Sequence, residues 1–407
     1  MSASDQLDLL LAGAGGLVDW AALPRTFPIG EARSLEKKLN RLAKHFASSL
    51  GVNKILVFFT NATGISARLH QYRDKRYVIT IPIGIFARLY AFHRRLWSYN
   101  NREKKGINPK ALLQFASSPA DDVDPDSFVV PEFVRCITSE YSSDQEFWRD
   151  ITAFDAANEH KIEIDFNVSI LTTQAISLIN LHELGHLALG HFALSTALVG
   201  DAFAAEKALL RKGMELESDY FAGSHLAWVV TNTVASFKAP ADKDYWARSF
   251  FRLAFSLFVC FATFDPRRRS LSRYDGRVYP HPIVRHQAAR QGIAEFLTQD
   301  GKIVDFWRKF GIVGWLEAEQ CLSLFTVMEC MNDASPNSLI PIHGLLYGGK
   351  ASEPYVSAKL QHGQGLFEAT RAIRERFLQG RFVESDLQAL TPLLNEGTYT
   401  GGAVAGS

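Results

Sequence analysis

His182-Glu183-Leu184-Gly185-His186 lies within Ile176–His191, a stretch rich in helix-forming residues and free of proline. On an α-helix, residues i and i+4 stand one turn apart on the same face. The two imidazoles therefore point the same way and can chelate one Zn²⁺. Glu183 lies about 100° round the helix from His182, within reach of a water held by such a metal. The plainer alternative is a pair of histidines making polar contacts in a core helix.

Catalytic zinc usually takes three protein ligands and keeps one open position, so a third ligand is sought downstream. His191 comes nine residues after His182, on the opposite side of a helix that continues unbroken, and Leu189 stands where a turning glycine would be needed; it reads as structural. Glu206 has Leu210 one turn on, so no carboxylate is placed there to hold an imidazole, and Ala204, Ala205, Lys207 and Ala208 around it resemble a solvent-edged helix. Glu215 has Asp219 one turn on, on the same face, and Ala222 continues that face with a side chain small enough for two helices to approach closely. Glu215 is the expected metal ligand, and Asp219 the group that orients a histidine ligand through its other ring nitrogen. Glu217 points about 200° from Glu215 and reads as a solvated charge.

His182-Glu183-x-x-His186 followed by Glu215-x-x-x-Asp219 resembles the gluzincin metallopeptidases. The run from His182 to His191 also resembles the repressor-cleaving peptidases of the ImmA/IrrE type. A closer likeness is to the Lit-type phage exclusion peptidases, over roughly Lys54 to Ile293. It takes in a strand at Lys54–Phe59, a second at Tyr77–Ile83, an aromatic helix at Ile85–Tyr99, the two metal helices and His281-Pro282, in that order. Only the metal motif is specific; the rest is layout and hydrophobic character. The resemblance implies a zinc endopeptidase acting on an intracellular protein, in that family a translation elongation factor cut during phage infection. It also implies a catalytic part for His281, holding substrate or a developing oxyanion. The pattern departs in one place: the arginine expected six residues after this histidine is Gln287, flanked by Arg285 and Arg290. His-Pro is also ordinary punctuation at a helix start. Tyr220, Tyr279 and His225 remain open as alternative oxyanion donors.

Composition frames these motifs. The chain has 407 residues, 47% hydrophobic and 21% charged, ordinary values for a globular protein with a large core. Forty-four basic against 43 acidic residues leave +1, with no electrostatic case for nucleic acid. The four cysteines show no CxxC spacing, which argues against a thiolate zinc site and fits a reducing cytosol. Asp5 and Asp8 precede the short apolar run Leu9–Leu11, which argues against a signal peptide. The most apolar stretch, Leu253–Phe264, spans about 18 Å as a helix against the roughly 30 Å of a bilayer core, and reads as a buried helix. A cytoplasmic protein with no membrane partner is expected.

The fold expected is α+β and mostly helical: a zincin-like core with a small mixed or antiparallel sheet packed on the active-site helix, plus a helical C-terminal region. Residues 1–30 form a loosely ordered lead-in, and 31–299 form the core, opening with a helix over about Ala32–Leu50. Within the core, 101–145 is a Pro-, Asp- and Ser-rich loop or insertion. Residues 300–395 are helical, with apolar periodicity in Trp315–Met331 and Tyr355–Phe377, and 396–407 form a disordered tail. In zincins the edge strand of such a sheet pairs with the substrate backbone. Glu183 is expected to act as general base and then acid. A peptidase active at all times would poison its host, so the insertion and the extra helices suggest activation by a protein or peptide partner. Two other classes stand beside the enzyme: a catalytically silent zinc-stabilised sensor, and a metal-free helical interaction protein. Within the enzyme class, a regulatory peptidase cutting a transcriptional repressor is the alternative to phage defence.

Overall fold

The computed structural model describes residues 3–103, 141–157, 166–198, 202–236, 243–264, 279–280, 282–299, 311–312, 315, 318 and 353–396. The elements follow in the order α1 (Ala3–Gly13), α2 (Ile29–Ser49), β1 (Lys54–Thr60), β2 (Arg68–Arg73), β3 (Arg76–Pro82), α3 (Ile83–Glu103), α4 (Asp144–Ala157), α5 (Phe166–Ala188) and α6 (His191–Ala197). After these come α7 (Ala204–Ser236), α8 (Lys243–Thr263), α9 (Pro282–Gln299), α10 (Glu353–Leu378), a 3-10 helix (Glu384–Leu390) and α11 (Thr391–Glu396). The architecture is mostly helical with one small mixed sheet, as the sequence suggested.

Runs rich in β-branched and aromatic residues build the sheet, Ile55-Leu56-Val57-Phe58-Phe59 and Tyr77-Val78-Ile79-Thr80-Ile81. β3 is central, parallel to β1 with Val57 opposite Ile79, and antiparallel to β2 with Leu69 opposite Ile79. The outer edge of β1 is closed by side chains of α2. Asn40 Nδ2 donates to the Val57 carbonyl at 2.7 Å, Asn40 Oδ1 accepts from the Val57 N–H at 2.9 Å, and Glu36 accepts from the Phe59 N–H at 2.9 Å. An antiparallel bridge from Leu17 to Thr60 finishes that edge. β2, the other edge, has no further strand beside it among the described residues. Backbone groups on an unpaired edge are open to strand addition.

Helix α5 has apolar residues round its whole circumference, the pattern of a helix buried on every side. It runs through the core, with α3 and α8 on one flank, the sheet and α2 on another, and α7 crossing it. α8, read from sequence as a buried helix, packs Phe250, Leu253 and Leu257 there with no measurable exposure. No helix among the described residues is long and apolar enough to cross a membrane. Residues 1–30 are less loose than expected: α1 is helical, and Val18, Leu23 and Phe27 belong to the main core, because apolar side chains spaced along an irregular segment can still fill a gap between elements.

A second, smaller cluster lies behind α7, where Leu210 and Met214 meet Leu366 and Ile373 of α10 and Leu387 and Leu390 of the 3-10 helix. The helix expected at Tyr355–Phe377 is thus α10, docked on α7. The expected insertion at 101–145, apart from its two ends, the stretch Trp315–Met331 apart from Trp315 and Ala318, and the tail beyond Glu396 lie outside the described residues.

α7 and α9 make the most extensive helix contact. Gly223 faces the Ala289 backbone and Gly292 faces the Tyr220 backbone, so closely that a Cβ on either would collide with a carbonyl oxygen. Gly223→Ala should therefore destabilise the protein by about 2–3 kcal/mol, despite alanine's better helix propensity. Chemical denaturation reads this, and a variant as stable as wild type would show that the crossing is looser than described.

His93 on α3 is fully buried, with Nδ1 3.0 Å from Thr172 Oγ1 on α5. Burial disfavours its charged form and lowers its pKa to about 3. The unfolded chain takes up a proton here below about pH 6.5, the folded chain only below about 3. Stability is therefore full above pH 6.5 and falls as pH drops through that window, by about 1.4 kcal/mol per pH unit. Denaturation of the metal-free protein between pH 7 and 4 should show a shallower slope for His93→Gln; parallel slopes would contradict the assignment.

Candidate metal centre

The site forms where α5 crosses α7. Gly185, between the two histidines, makes the crossing close: a Cβ there would stand 3.1 Å from Phe221 Cδ1 and 3.2 Å from Ser218 Cα. At this separation His182 and His186 on α5 face Glu215 on α7. Their Nε2 atoms are 3.1 Å apart, Glu215 Oε2 is 3.3 Å from His182 Nε2, and Glu215 Oε1 is 3.5 Å from His186 Nε2. These are the edges of a tetrahedral face: bonds of 2.0–2.1 Å from a central ion put ligand atoms roughly 3.3 Å apart. The three residues form a group able to hold a metal ion.

Asp219 stands where the one-turn spacing placed it. Its Oδ1 accepts from His182 Nδ1 at 2.8 Å, which leaves Nε2 of that ring facing the centre. Asp219 in turn receives two bonds from Arg285 of α9, Nε to Oδ2 at 2.7 Å and Nη2 to Oδ1 at 2.9 Å. The guanidinium also approaches Glu215 Oε2 at 3.5 Å and lies over the rings of Phe261 and Phe264. It is buried, and burial, which opposes its charge, is outweighed by Asp219, so its pKa is raised. Burial likewise opposes a charge on His182, yet Asp219 and Glu215 more than offset it and raise this pKa to about 10. Glu215 is pushed the other way: against the effect of burial, its contacts with both histidines hold the carboxyl well below the usual range.

Glu183 opens onto the same cleft, of about 400 Å³, whose walls include Ile65 to His70, Leu178, Ile179, Phe261, Phe264 and Tyr279. Glu215 and Asp219, whose carboxylates contact the guanidinium of Arg285, line it as well, as does Arg68.

Several expectations need correction. The helix carrying the motif stops at Ala188. Gly190, at φ 73° in the left-handed region, turns the chain so that His191 opens a new helix. His191 therefore faces the metal helix instead of pointing away, with Nδ1 3.1 Å from His186 Nδ1. Burial keeps it neutral, lowering its pKa to about 4 against the opposing pull of Glu217. Glu217 is not a solvated charge but is 3% exposed, bonded to His191 Nε2 at 2.9 Å and to Arg374 Nε at 3.1 Å. It does lie away from Glu215, and α10 covers that face. Glu206 is not among the grouped ligands, and Ala204, Ala205 and Ala208 beside it are exposed as expected; Glu206 itself is buried and accepts from Thr391 Oγ1 at 3.0 Å, and the buried Lys207 pairs with Glu384 at 2.6 Å.

Of the proposed oxyanion donors, Tyr279 lines the cleft, where burial and nearby Glu215 raise its pKa. Tyr220 donates instead to Glu295 and His225 Nδ1 to the Phe221 carbonyl, and neither lines the cleft. His281 lies outside the described residues. Arg285 was not foreseen as part of the site. The available signal was an arginine in the first turn after His281-Pro282, two positions short of the spacing seen in the peptidases the motif resembles.

Comparison with protein-family models, with curated proteins and with solved structures found no match for this chain.

Proposed function

We propose that the protein is a zinc-dependent endopeptidase. The observation that carries this reading is the convergence of His182, His186 and Glu215 at tetrahedral spacings in a cleft that Glu183 also enters. Two histidines and a glutamate make a donor set suited to catalytic zinc. Zinc bound there would supply Lewis acidity, polarising a carbonyl oxygen and acidifying water.

The chain's own residues account for the rest. Glu183 takes a proton from the attacking water and returns it to the amine nitrogen as the C–N bond breaks. Asp219 holds His182 with Nε2 toward the centre, and Arg285 holds Asp219. Tyr279, at the exposed side of the cleft, is a hydroxyl donor for a substrate carbonyl. The outer edge of β2, which has no further strand beside it among the described residues and whose Arg68, Leu69 and His70 form one wall, can take an extended segment as an added strand. An extended polypeptide is therefore the substrate class, and Leu178, Ile179, Phe261 and Phe264 favour an apolar side chain beside the cut bond.

The resemblance to Lit-type peptidases supports a cytoplasmic protein substrate cut during phage infection, with cutting released by a protein or peptide activator. The experiment is to express wild type and Glu183→Gln in a bacterial host, with and without phage, and compare new protein termini. New termini found only with wild type support the reading; identical termini in both overturn it.

A further inference from the structure

Both histidines of the metal group are anchored behind the ring, but differently. His182 leans on Asp219 and Arg285, from α7 and α9. Behind His186 runs a longer chain that ends on α10: His186 Nδ1 to His191 Nδ1 at 3.1 Å, His191 Nε2 to Glu217 Oε2 at 2.9 Å, and Arg374 Nε to both oxygens of Glu217 at 3.1 and 3.2 Å. We infer that His191, Glu217 and Arg374 form a positioning chain that fixes His186 as a ligand through Nε2, and that docking of α10 on α7 thereby sets the affinity of the metal centre. The inference rests on the metal reading proposed above.

The proton inventory allows one arrangement. A His186 that ligates through Nε2 carries its ring proton on Nδ1. Two Nδ1 atoms at hydrogen-bond distance share a single proton, so His191 must offer a lone pair there and carry its own proton on Nε2. That proton faces a carboxylate oxygen of Glu217, an acceptor with no proton to clash. Ser218 Oγ, 3.3 Å from His191 Nδ1, is a further donor to the same lone pair. The opposite tautomer of His191 would set two protons against each other at His186 and leave a bare nitrogen facing a carboxylate. Exposure of 2% at His191 and 3% at Glu217 leaves no water to mend the mismatch.

Glu217 is buried, and among the described residues the guanidinium beside it is that of Arg374. Arg374 follows Ile373, which packs with Leu366 and Phe367 of α10 against Leu210 and Met214 of α7. Undocking α10 would withdraw the guanidinium from both oxygens of Glu217, leaving that carboxylate free to swing off His191 Nε2 and the His191 ring free to turn. His186 would then lose its acceptor and the ring would be free to turn.

The test uses the full chain in four variants: His191→Phe, His191→Asn, Arg374→Met and Arg374→Lys. Each is assayed for zinc affinity by competition with a chromophoric chelator, for the visible absorption of the cobalt-substituted protein, and for the melting temperature of the metal-free form. His191→Phe and Arg374→Met should weaken zinc binding about 10- to 100-fold and change the cobalt spectrum. Asparagine, whose Oδ1 can accept from His186 Nδ1, and lysine, which keeps the positive charge, should each recover most of the loss. A merely structural role would lower the metal-free melting temperature and leave zinc affinity and the cobalt spectrum alone; that result, in either Phe or Met variant, overturns the inference. Tight zinc in wild type and equally tight zinc in His191→Phe removes the chain but leaves the metal reading standing, whereas a wild-type chain without affinity for zinc removes both.

Discussion

Glu183→Gln should keep its zinc and its fold while hydrolysis of the substrate falls by roughly 10²- to 10⁴-fold. The amide matches the carboxylate in size and can still hydrogen-bond to water, but it cannot accept a proton at neutral pH. Zinc should stay because Glu183 is not one of the three grouped ligands; it borders the cleft beside them. Glu215→Gln should behave in the opposite order, losing metal first and activity as a consequence. Elemental analysis and turnover on a substrate identified from new termini separate the two cases. A Glu183→Gln protein retaining more than about a tenth of wild-type turnover would falsify its role as base; loss of zinc would make it a ligand.

The parts of this site that were legible in the sequence are those governed by a single helix. The i, i+4 spacing of His182 and His186, and of Glu215 and Asp219, fixes which side chains share a face whatever surrounds them. The two long strands were legible for a similar reason: runs such as Val57-Phe58-Phe59 and Val78-Ile79-Thr80 suit a pleated, half-buried surface. What single-helix geometry cannot supply is the identity of whatever covers the opposite face. Glu217 does point away from Glu215, yet the face it occupies meets α10, whose Arg374 lies 157 residues further along the chain. Arg285 arrives from α9, 66 residues beyond its partner Asp219. Ion pairs of that separation leave no periodic trace. The helix break before His191 did leave one: Gly190 is the residue type that most readily adopts the left-handed conformation ending a helix. An expectation of one continuous helix passed over it.

Arg285→Met should cost about 3–5 kcal/mol of stability in the metal-free protein, the largest effect expected of any single change away from the metal ligands. The guanidinium is 8% exposed and makes a two-point contact with Asp219, which is itself 2% exposed. Methionine fills similar space against Phe261 and Phe264 but leaves Asp219 charged and buried, with His182 as its remaining partner among the described residues. Charge at the floor of the cleft then decides how zinc responds. Without metal, loss of Arg285 takes away a positive charge that Asp219 and Glu215 have directly beside them; with a divalent ion in place, part of that charge is still offset. The metal-free form should therefore suffer more than the zinc form, and the gain in melting temperature on adding zinc should be larger in the variant than in wild type. Arg285→Met combined with Asp219→Asn should recover part of the lost stability, because the amide removes the unpaired charge and keeps an oxygen for His182 Nδ1. Differential scanning calorimetry of the three proteins, with zinc and with chelator, measures these differences. Equal losses with and without zinc would mean that the guanidinium serves packing alone. A double variant no more stable than Arg285→Met would mean that Asp219 is neutralised by some other group, and the pairing described for the back of His182 would have to be redrawn.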